Sequence, residues 1–269
     1  MQALPRKLWR NARKVQRDIR HRVVGVPWME VGANDRFLFS YPRSGNTWLR
    51  HIVQYLTHGS QVDDHETLEA SLPTIDTLEF KERLARMPEG LRFFKSHLPY
   101  ASYFLNGKVI YVVRDGRDVL ISYYDYYRHI NNYGGSLDDF LKKMTDGWMR
   151  YGSWRDNVGS WVEHRDHPNM LMVRFEDMRA EPFATAKNVA AFSGLNADDA
   201  QIKAALEASS VEKVHSTMRS WNSARSTQFK GGASQGGRKT WRDRLSDDQN
   251  QAFVDHSGDL LQKLGYSLD

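Results

Sequence analysis

The chain has 269 residues, a formal charge of +5 at pH 7, a pI near 9.3 and no cysteine. That length supports a well-buried core, expected as one large α/β domain; the missing cysteines exclude disulfides, thiol nucleophiles and cysteine metal sites. The basic balance favours anionic partners such as nucleotides, acidic glycans, nucleic acid or membrane surfaces, and the lack of a run of about 18 apolar residues or a signal-peptide core predicts a cytoplasmic protein.

Residues 1–25 carry Arg6, Lys7, Arg10, Arg13, Lys14, Arg17, Arg20 and Arg22 against a single acid, Asp18. Leu4, Leu8, Ala12, Val15, Ile19 and Val23 recur every three or four residues, which predicts a basic amphipathic helix. Such a helix either lies on an anionic membrane surface, making the protein peripheral there, or packs its apolar stripe on the domain and solvates its arginines. It reads as a segment of its own ahead of one domain over residues 26–269.

Arg36-Phe37-Leu38-Phe39-Ser40 is a short apolar run that suits a buried strand. Tyr41-Pro42 stops it, and Ser44-Gly45-Asn46-Thr47 supplies turn formers and helix-capping side chains. Beyond Thr47, Trp48, Ile52, Val53 and Leu56 recur at helical spacing, so the loop delivers backbone N–H groups to a helix N-terminus, which is an anion site. It is not the GxxxxGK[ST] loop of nucleoside triphosphatases: it has one glycine, and its cation, Arg43, comes before it.

Asp63 to Met87 reads as polar helices broken at Pro73. Leu91 to Phe94 predicts a second strand, followed by Lys95-Ser96-His97-Leu98-Pro99; a histidine so placed is either a satisfied structural residue or a catalytic one. Lys108 to Val113 is the strongest strand signal, apolar and β-branched as in a central parallel strand. Arg114 stands at its carboxyl end, where open α/β sheets bind ligands, and Ser122 lies about two turns into the next helix. Tyr123, Tyr124, Tyr126 and Tyr127 cover more than one face of that helix, some lining an acceptor pocket and most in the core. Trp154 and Trp161 read as packing anchors, Asn169 to Phe175 as a fourth strand, and Pro182 to Ser193, Asp198 to Ser209 and Leu245 to Tyr266 as helices. Thr217 to Lys239, with Lys230, Gly231, Arg238 and Lys239, has the polar, Gly/Ser-rich composition of a linker.

The string Tyr41-Pro42-Arg43-Ser44-Gly45-Asn46-Thr47-Trp48 resembles the 5′-phosphosulfate loop of the cytosolic-type sulfotransferases, which take sulfate from 3′-phosphoadenosine-5′-phosphosulfate (PAPS) and leave adenosine 3′,5′-bisphosphate (PAP). That family usually has lysine where this chain has Arg43. Lys95-Ser96-His97-Leu98-Pro99 is similar to the family's KTHLP, Arg114 with Ser122 to its 3′-phosphate pair, and Arg174-Phe175-Glu176-Asp177 to its RYED, with phenylalanine in place of the adenine-contacting tyrosine. The motifs lie in the family's order over roughly Arg36 to Gly265, and the chain looks like a bacterial-like member.

The resemblance implies a single α/β domain with a central parallel sheet flanked by helices on both faces. It implies that His97 is the general base, that Lys95 and Arg43 stabilise charge on the transferring group and on the leaving 5′-phosphate, and that Trp48 offers its ring to adenine. It also implies that either Lys230 with Gly231, or Arg238 and Lys239, wraps the 3′-phosphate in a loop that the family holds in more compact form. No metal is expected, because a sulfuryl group carries less charge than a terminal phosphate. The acceptor is a small molecule, lipid or carbohydrate bearing a hydroxyl or amine; neither its identity nor an oligomeric state is specified. An ATP-dependent kinase is disfavoured by the missing loop lysine and by Arg114 where a magnesium-binding aspartate would often stand. A nucleic-acid-binding module accounts for the charge and not for the loop.

Overall fold

The computed structural model describes residues 29–62, 64–210, 213–214 and 240–269. The basic segment over 1–25 and the loop cations Lys230, Arg238 and Lys239 lie outside the described residues. Four parallel strands form the sheet: β1 (Asp35–Ser40), β2 (Arg92–Ser96), β3 (Lys108–Val113) and β4 (Met170–Arg174), in the order β2-β1-β3-β4. Leu38 of β1 stands opposite Lys95 on one side and Ile110 on the other. Strands buried on both faces read as continuous apolar runs, and the two faces part cleanly by residue parity. Phe37, Phe39, Val109, Tyr111, Val113 and Phe94 enter one core cluster, whereas Leu38, Ile110, Val112 and Phe93 enter another.

The first face is covered by α4 (Gly116–Ile130), α5 (Leu137–Thr145), α6 (Trp154–Val162) and α10 (Asp247–Lys263). The second is covered by α1 (Asn46–His58), α7 (Phe175–Ala180), α8 (Pro182–Ser193) and α9 (Asp199–Ala208). Helices therefore lie on both faces of the parallel sheet. Trp154 and Trp161 are fully buried, as expected of packing anchors. No described helix is long and apolar enough to cross a membrane.

Between α2 (His65–Ser71) and α3 (Phe80–Ala85) the chain does break at Pro73, and the break has a structural use. Lys95 N–H donates to the Pro73 carbonyl at 3.0 Å and Ile75 N–H to the Lys95 carbonyl at 3.0 Å, so these residues run alongside β2 and cover its outer edge.

The turn from β3 into α4 anchors the far end of the chain. Asp115 caps α4 by accepting from Arg117 N–H at 2.9 Å, and the buried Arg117 guanidinium binds the Asp115 carboxylate at 2.9 Å. Arg117 also donates to the carbonyls of Ser267 and Leu268 and stacks on Trp241, 3.7 Å from its ring centroid. Gly116 makes this packing possible, because a Cβ there would lie 2.5 Å from Phe253 Cζ and 2.7 Å from Trp154 Cδ2. Both rings are buried and cannot swing away. Gly116→Ala should therefore cost about 1–3 kcal/mol by overpacking, read as a lower urea midpoint at unchanged slope.

Candidate active site

Because the four strands run the same way, their carboxyl ends meet along one edge, and each delivers a polar or aromatic side chain there. From β1 comes the loop Tyr41–Gly45. Arg43 and Gly45 take left-handed backbone conformations, φ 71° and 98°, and Gly45 is the N-cap of α1. The capping side chains expected from sequence do not cap this helix. Asn46 instead turns back, its Nδ2 donating to the Leu38 carbonyl at 2.9 Å and tying the loop to β1. Ser44 Oγ is buried with no hydrogen-bond partner among the described residues. Together with the N–H groups at the start of the helix, it supplies donors that suit an anion.

Phe175, at the end of β4, lies directly over this loop: a Cβ on Gly45 would come within 2.4 Å of its Cδ2. Gly45 is thus required twice, by its φ and by the ring. Arg114, at the end of β3, spans the same loop, with Nη1 donating to the Arg43 carbonyl at 3.2 Å and its guanidinium 4.6 Å from the Phe175 ring centroid. Its buried Nε has no partner among the described residues. Arg43 Nε donates to Ser122 Oγ at 3.1 Å, which brings the two families of expected donor-site residues into contact, and its guanidinium stands 5.2 Å from the Tyr126 ring centroid. Burial lowers the pKa of Arg43, with Tyr126 opposing and Arg114 reinforcing the shift. Both arginines remain cations at any working pH. Trp48 is half-buried beside Phe175, ring centroids 6.3 Å apart, and its Nε1 donates to the Ser209 carbonyl at 2.9 Å.

From β2 come Lys95 and His97. His97 Nδ1 lies 2.8 Å from the Ser40 carbonyl. A carbonyl only accepts, so Nδ1 carries the hydrogen and Nε2 keeps the lone pair. Asn157 Nδ2 holds the His97 carbonyl at 2.9 Å, and the Tyr151 ring meets the imidazole edge-on, centroids 5.3 Å apart. Burial, then the Lys95 charge, pulls the His97 pKa down to about 3, against the opposing pull of Asp76. Burial likewise lowers Lys95 to about 8, opposed chiefly by Asp76. Between those values the site holds a neutral imidazole beside an ammonium, a base and a cation together.

Asp76 and Tyr151 were not legible as site residues. Asp76 lies in the stretch read only as polar helices, and Tyr151 in a segment read for its tryptophans. The Tyr151 hydroxyl donates to Asp76, whose other oxygen accepts from Ser96 at 3.0 Å. Among the described residues no three His, Asp or Glu side chains gather as a metal site.

The His97 shift has a consequence for stability. A ring that titrates at about 3 in the fold instead of 6.5 binds its proton less readily than the unfolded chain does, so stability is full above about pH 6.5 and is lost as pH falls toward 3. Between pH 7 and pH 4.5 the wild type should lose roughly 2–3 kcal/mol more than His97→Gln. Urea denaturation at the two pH values measures this, and equal losses would mean that the ring titrates normally.

The sulfotransferase domain family matches residues 33–265. Mouse sulfotransferase 4A1 is 30% identical over 186 residues, 66% of this chain and 66% of that protein. Mouse sulfotransferase 1B1 is 33% identical over 181 residues, 61% of this chain and 60% of that one, so the chain spans about two thirds or less of these relatives' length. Among solved structures, mouse sulfotransferase SULT7A1 complexed with PAP superposes with a TM-score of 0.65 at 25% identity, covering 86% of this chain and 83% of that one. Retinol dehydratase in complex with androsterone and inactive cofactor PAP shares the fold, with a TM-score of 0.75 at 20% identity over 90% of this chain and 85% of that one. With a match reaching from just before β1 to just past α10, this chain belongs to the sulfotransferase family.

Proposed function

We propose that the chain is a PAPS-dependent sulfotransferase that moves a sulfuryl group in line to a hydroxyl or amine of a small-molecule acceptor, a lipid or carbohydrate included. The observation that carries this reading is the pairing at one sheet edge of an anion-binding loop with His97, whose Nδ1 is tied to the Ser40 carbonyl and whose Nε2 is left as a base.

In this reading Ser44, Gly45, Asn46 and Thr47 hold the 5′-phosphate end of the donor. Arg114 and Ser122 take the 3′-phosphate, and Trp48 and Phe175 receive the adenine. His97 Nε2 removes the acceptor proton as the acceptor oxygen or nitrogen bonds to sulfur and the bond from sulfur to the 5′-phosphate oxygen breaks. Arg43 and Lys95 neutralise charge on the transferring group and on the departing phosphate. An arginine does not give up a proton near neutral pH, so Arg43 acts electrostatically. Arginine in place of lysine also keeps a second donor after Nε has engaged Ser122.

Two measurements test this. By calorimetry, wild type should bind PAP far more tightly than adenosine 5′-monophosphate. Arg114→Ala should lose most of that preference, since one charge-assisted contact is worth about 1.5–3 kcal/mol, roughly ten- to a hundredfold. Equal affinities in wild type, or a preference for ATP with magnesium, would replace the assignment with a kinase. His97→Ala should lower kcat by about 10²–10⁴-fold, with PAP affinity nearly unchanged, for whichever acceptor of a phenol, steroid alcohol, sugar and peptide panel supports wild-type turnover. A variant that kept more than about a tenth of kcat would move the base elsewhere.

A further inference from the structure

The reaction as described gives no task to the side chain of Asn157, although that amide reaches both of the residues whose rings meet at the base. Asn157 lies in α6 and is fully buried. Its Nδ2 donates to the His97 carbonyl at 2.9 Å and to the Tyr151 carbonyl at 3.2 Å, and its Oδ1 accepts from the Tyr111 hydroxyl at 2.9 Å. Carbonyl oxygens only accept, so both amide hydrogens are committed to them and the orientation of the group is settled. A buried amide is costly unless it is bonded in this way, and asparagine is a weak helix former. Leucine would fill a similar space without either cost, so the bonds, and not packing or helix propensity, account for the residue.

The same helix holds the turn after His97 at two further points. Trp161 Nε1 donates to the Leu98 carbonyl at 3.1 Å. Ser160 Oγ accepts from Tyr100 N–H at 3.0 Å and donates to the Asn157 carbonyl at 2.7 Å. Residues three and four apart share a helix face, so 157, 160 and 161 form one row along the chain from His97 to Tyr100. Asn157 differs from the other two in joining two segments. The imidazole keeps Nδ1 2.8 Å from the Ser40 carbonyl, and the Tyr151 ring meets it edge-on with centroids 5.3 Å apart. Both rings hang from backbone whose carbonyls share one amide. Tyr111, which sets the direction of that amide, stands opposite Phe39 in the sheet, so the base is located against the same strand that carries the anion loop.

We infer that Asn157 is a positioning residue for the base: its amide, oriented by Tyr111, holds the His97 and Tyr151 backbone together so that Nδ1 stays on the Ser40 carbonyl and Nε2 keeps its lone pair. Its part in turnover rests on the sulfuryl-transfer reading above. Asn157 itself touches no reacting atom. Without the amide two buried carbonyls lose their donor, the turn relaxes, and the ring moves off Ser40. A neutral imidazole freed from that bond no longer has its tautomer fixed. Hydrogen then appears on Nε2, and a ring in that form cannot take the acceptor proton there.

The tautomer can be read without donor or acceptor. Two-bond proton–nitrogen NMR spectra of the full chain labelled with nitrogen-15 histidine distinguish the two forms, and among the 10 histidines the His97 signals are those missing from His97→Gln. At pH 7 wild type should show the Nδ1–H form alone. In Asn157→Leu the Nε2–H form should make up about half of the His97 signal or more. With an acceptor in hand, kcat of that variant should fall about ten- to a hundredfold, the scale of a misplacement of about 1 Å, with PAP affinity within about threefold of wild type. Val158→Ala trims a buried side chain of the next residue on α6, which makes none of these hydrogen bonds, and should lower the urea midpoint while changing neither reading. An unchanged tautomer in Asn157→Leu overturns the proposal, as does an equal shift in Val158→Ala, which would mark lost packing as the cause. If Asn157→Leu does not fold, Asn157→Ser, smaller than the amide and left with one donor, decides on the same spectra: Nε2–H signal supports the proposal and its absence overturns it. Failure of the wild type to turn over PAPS would instead remove the reaction reading while leaving the tautomer result intact.

Discussion

The parallel hydrogen bonding of β1 to a strand on each side is the constraint on which the rest of the molecule depends. With Phe39 opposite Ser96 in β2 and Tyr111 in β3, the carboxyl ends of all three strands are brought to the same edge. The Arg43 loop, the His97 turn and Arg114 follow from them within a few residues. The pairing also fixes which face each side chain enters, since a slip of one residue would exchange Phe37 and Phe39 with Leu38 across the sheet. The aromatic contacts of Phe39 with Phe104 and Trp161, centroids 4.7 and 5.0 Å apart, exist only in the observed register. The core thereby holds the site's spacing, although no core residue takes part in its chemistry.

At that edge the protein gathers positive charge that it does not fully compensate. Burial lowers the pKa of Arg43 and of Arg114, Arg114 adds to the shift of Arg43, and burial pulls Lys95 to about 8. Such crowding works against stability in the absence of an anion and favours one when it arrives, a division often seen where function and packing compete. Burial first, and then the Lys95 charge, keeps His97 neutral, so a cation suited to an anion also helps preserve the lone pair of a base.

The parts of this arrangement legible in the sequence are those in which local chemistry and position coincide. Phe37 to Ser40 is apolar enough to be a strand and Gly45 begins a periodic helix, so the loop could be placed; Arg114 follows the strongest strand and could be placed at its end. Phe175 could be located but not its contact, because its ring meets Gly45 across the distance between β4 and β1, which no local pattern encodes. Asp76 and Tyr151 were hidden for the same reason. Each looks like an ordinary polar or aromatic loop residue until the edge pairing of Pro73 and Ile75 with β2 brings Asp76 to Ser96, and the turn before α6 brings Tyr151 to His97. The capping expectation failed at Ser44 and Asn46 because the left-handed Gly45 occupies the cap position and Asn46 is drawn to Leu38 instead. A tight turn with a tertiary partner outweighed the local preference.

The Trp48 indole has its N–H engaged by the Ser209 carbonyl at 2.9 Å. Whatever base lies against that ring meets a π surface and not a hydrogen-bond donor, and Phe175 beside it has no polar atom to add. A purine held there is recognised by shape and polarisability, which adenine and guanine largely share. The two rings by themselves therefore do not tell those bases apart.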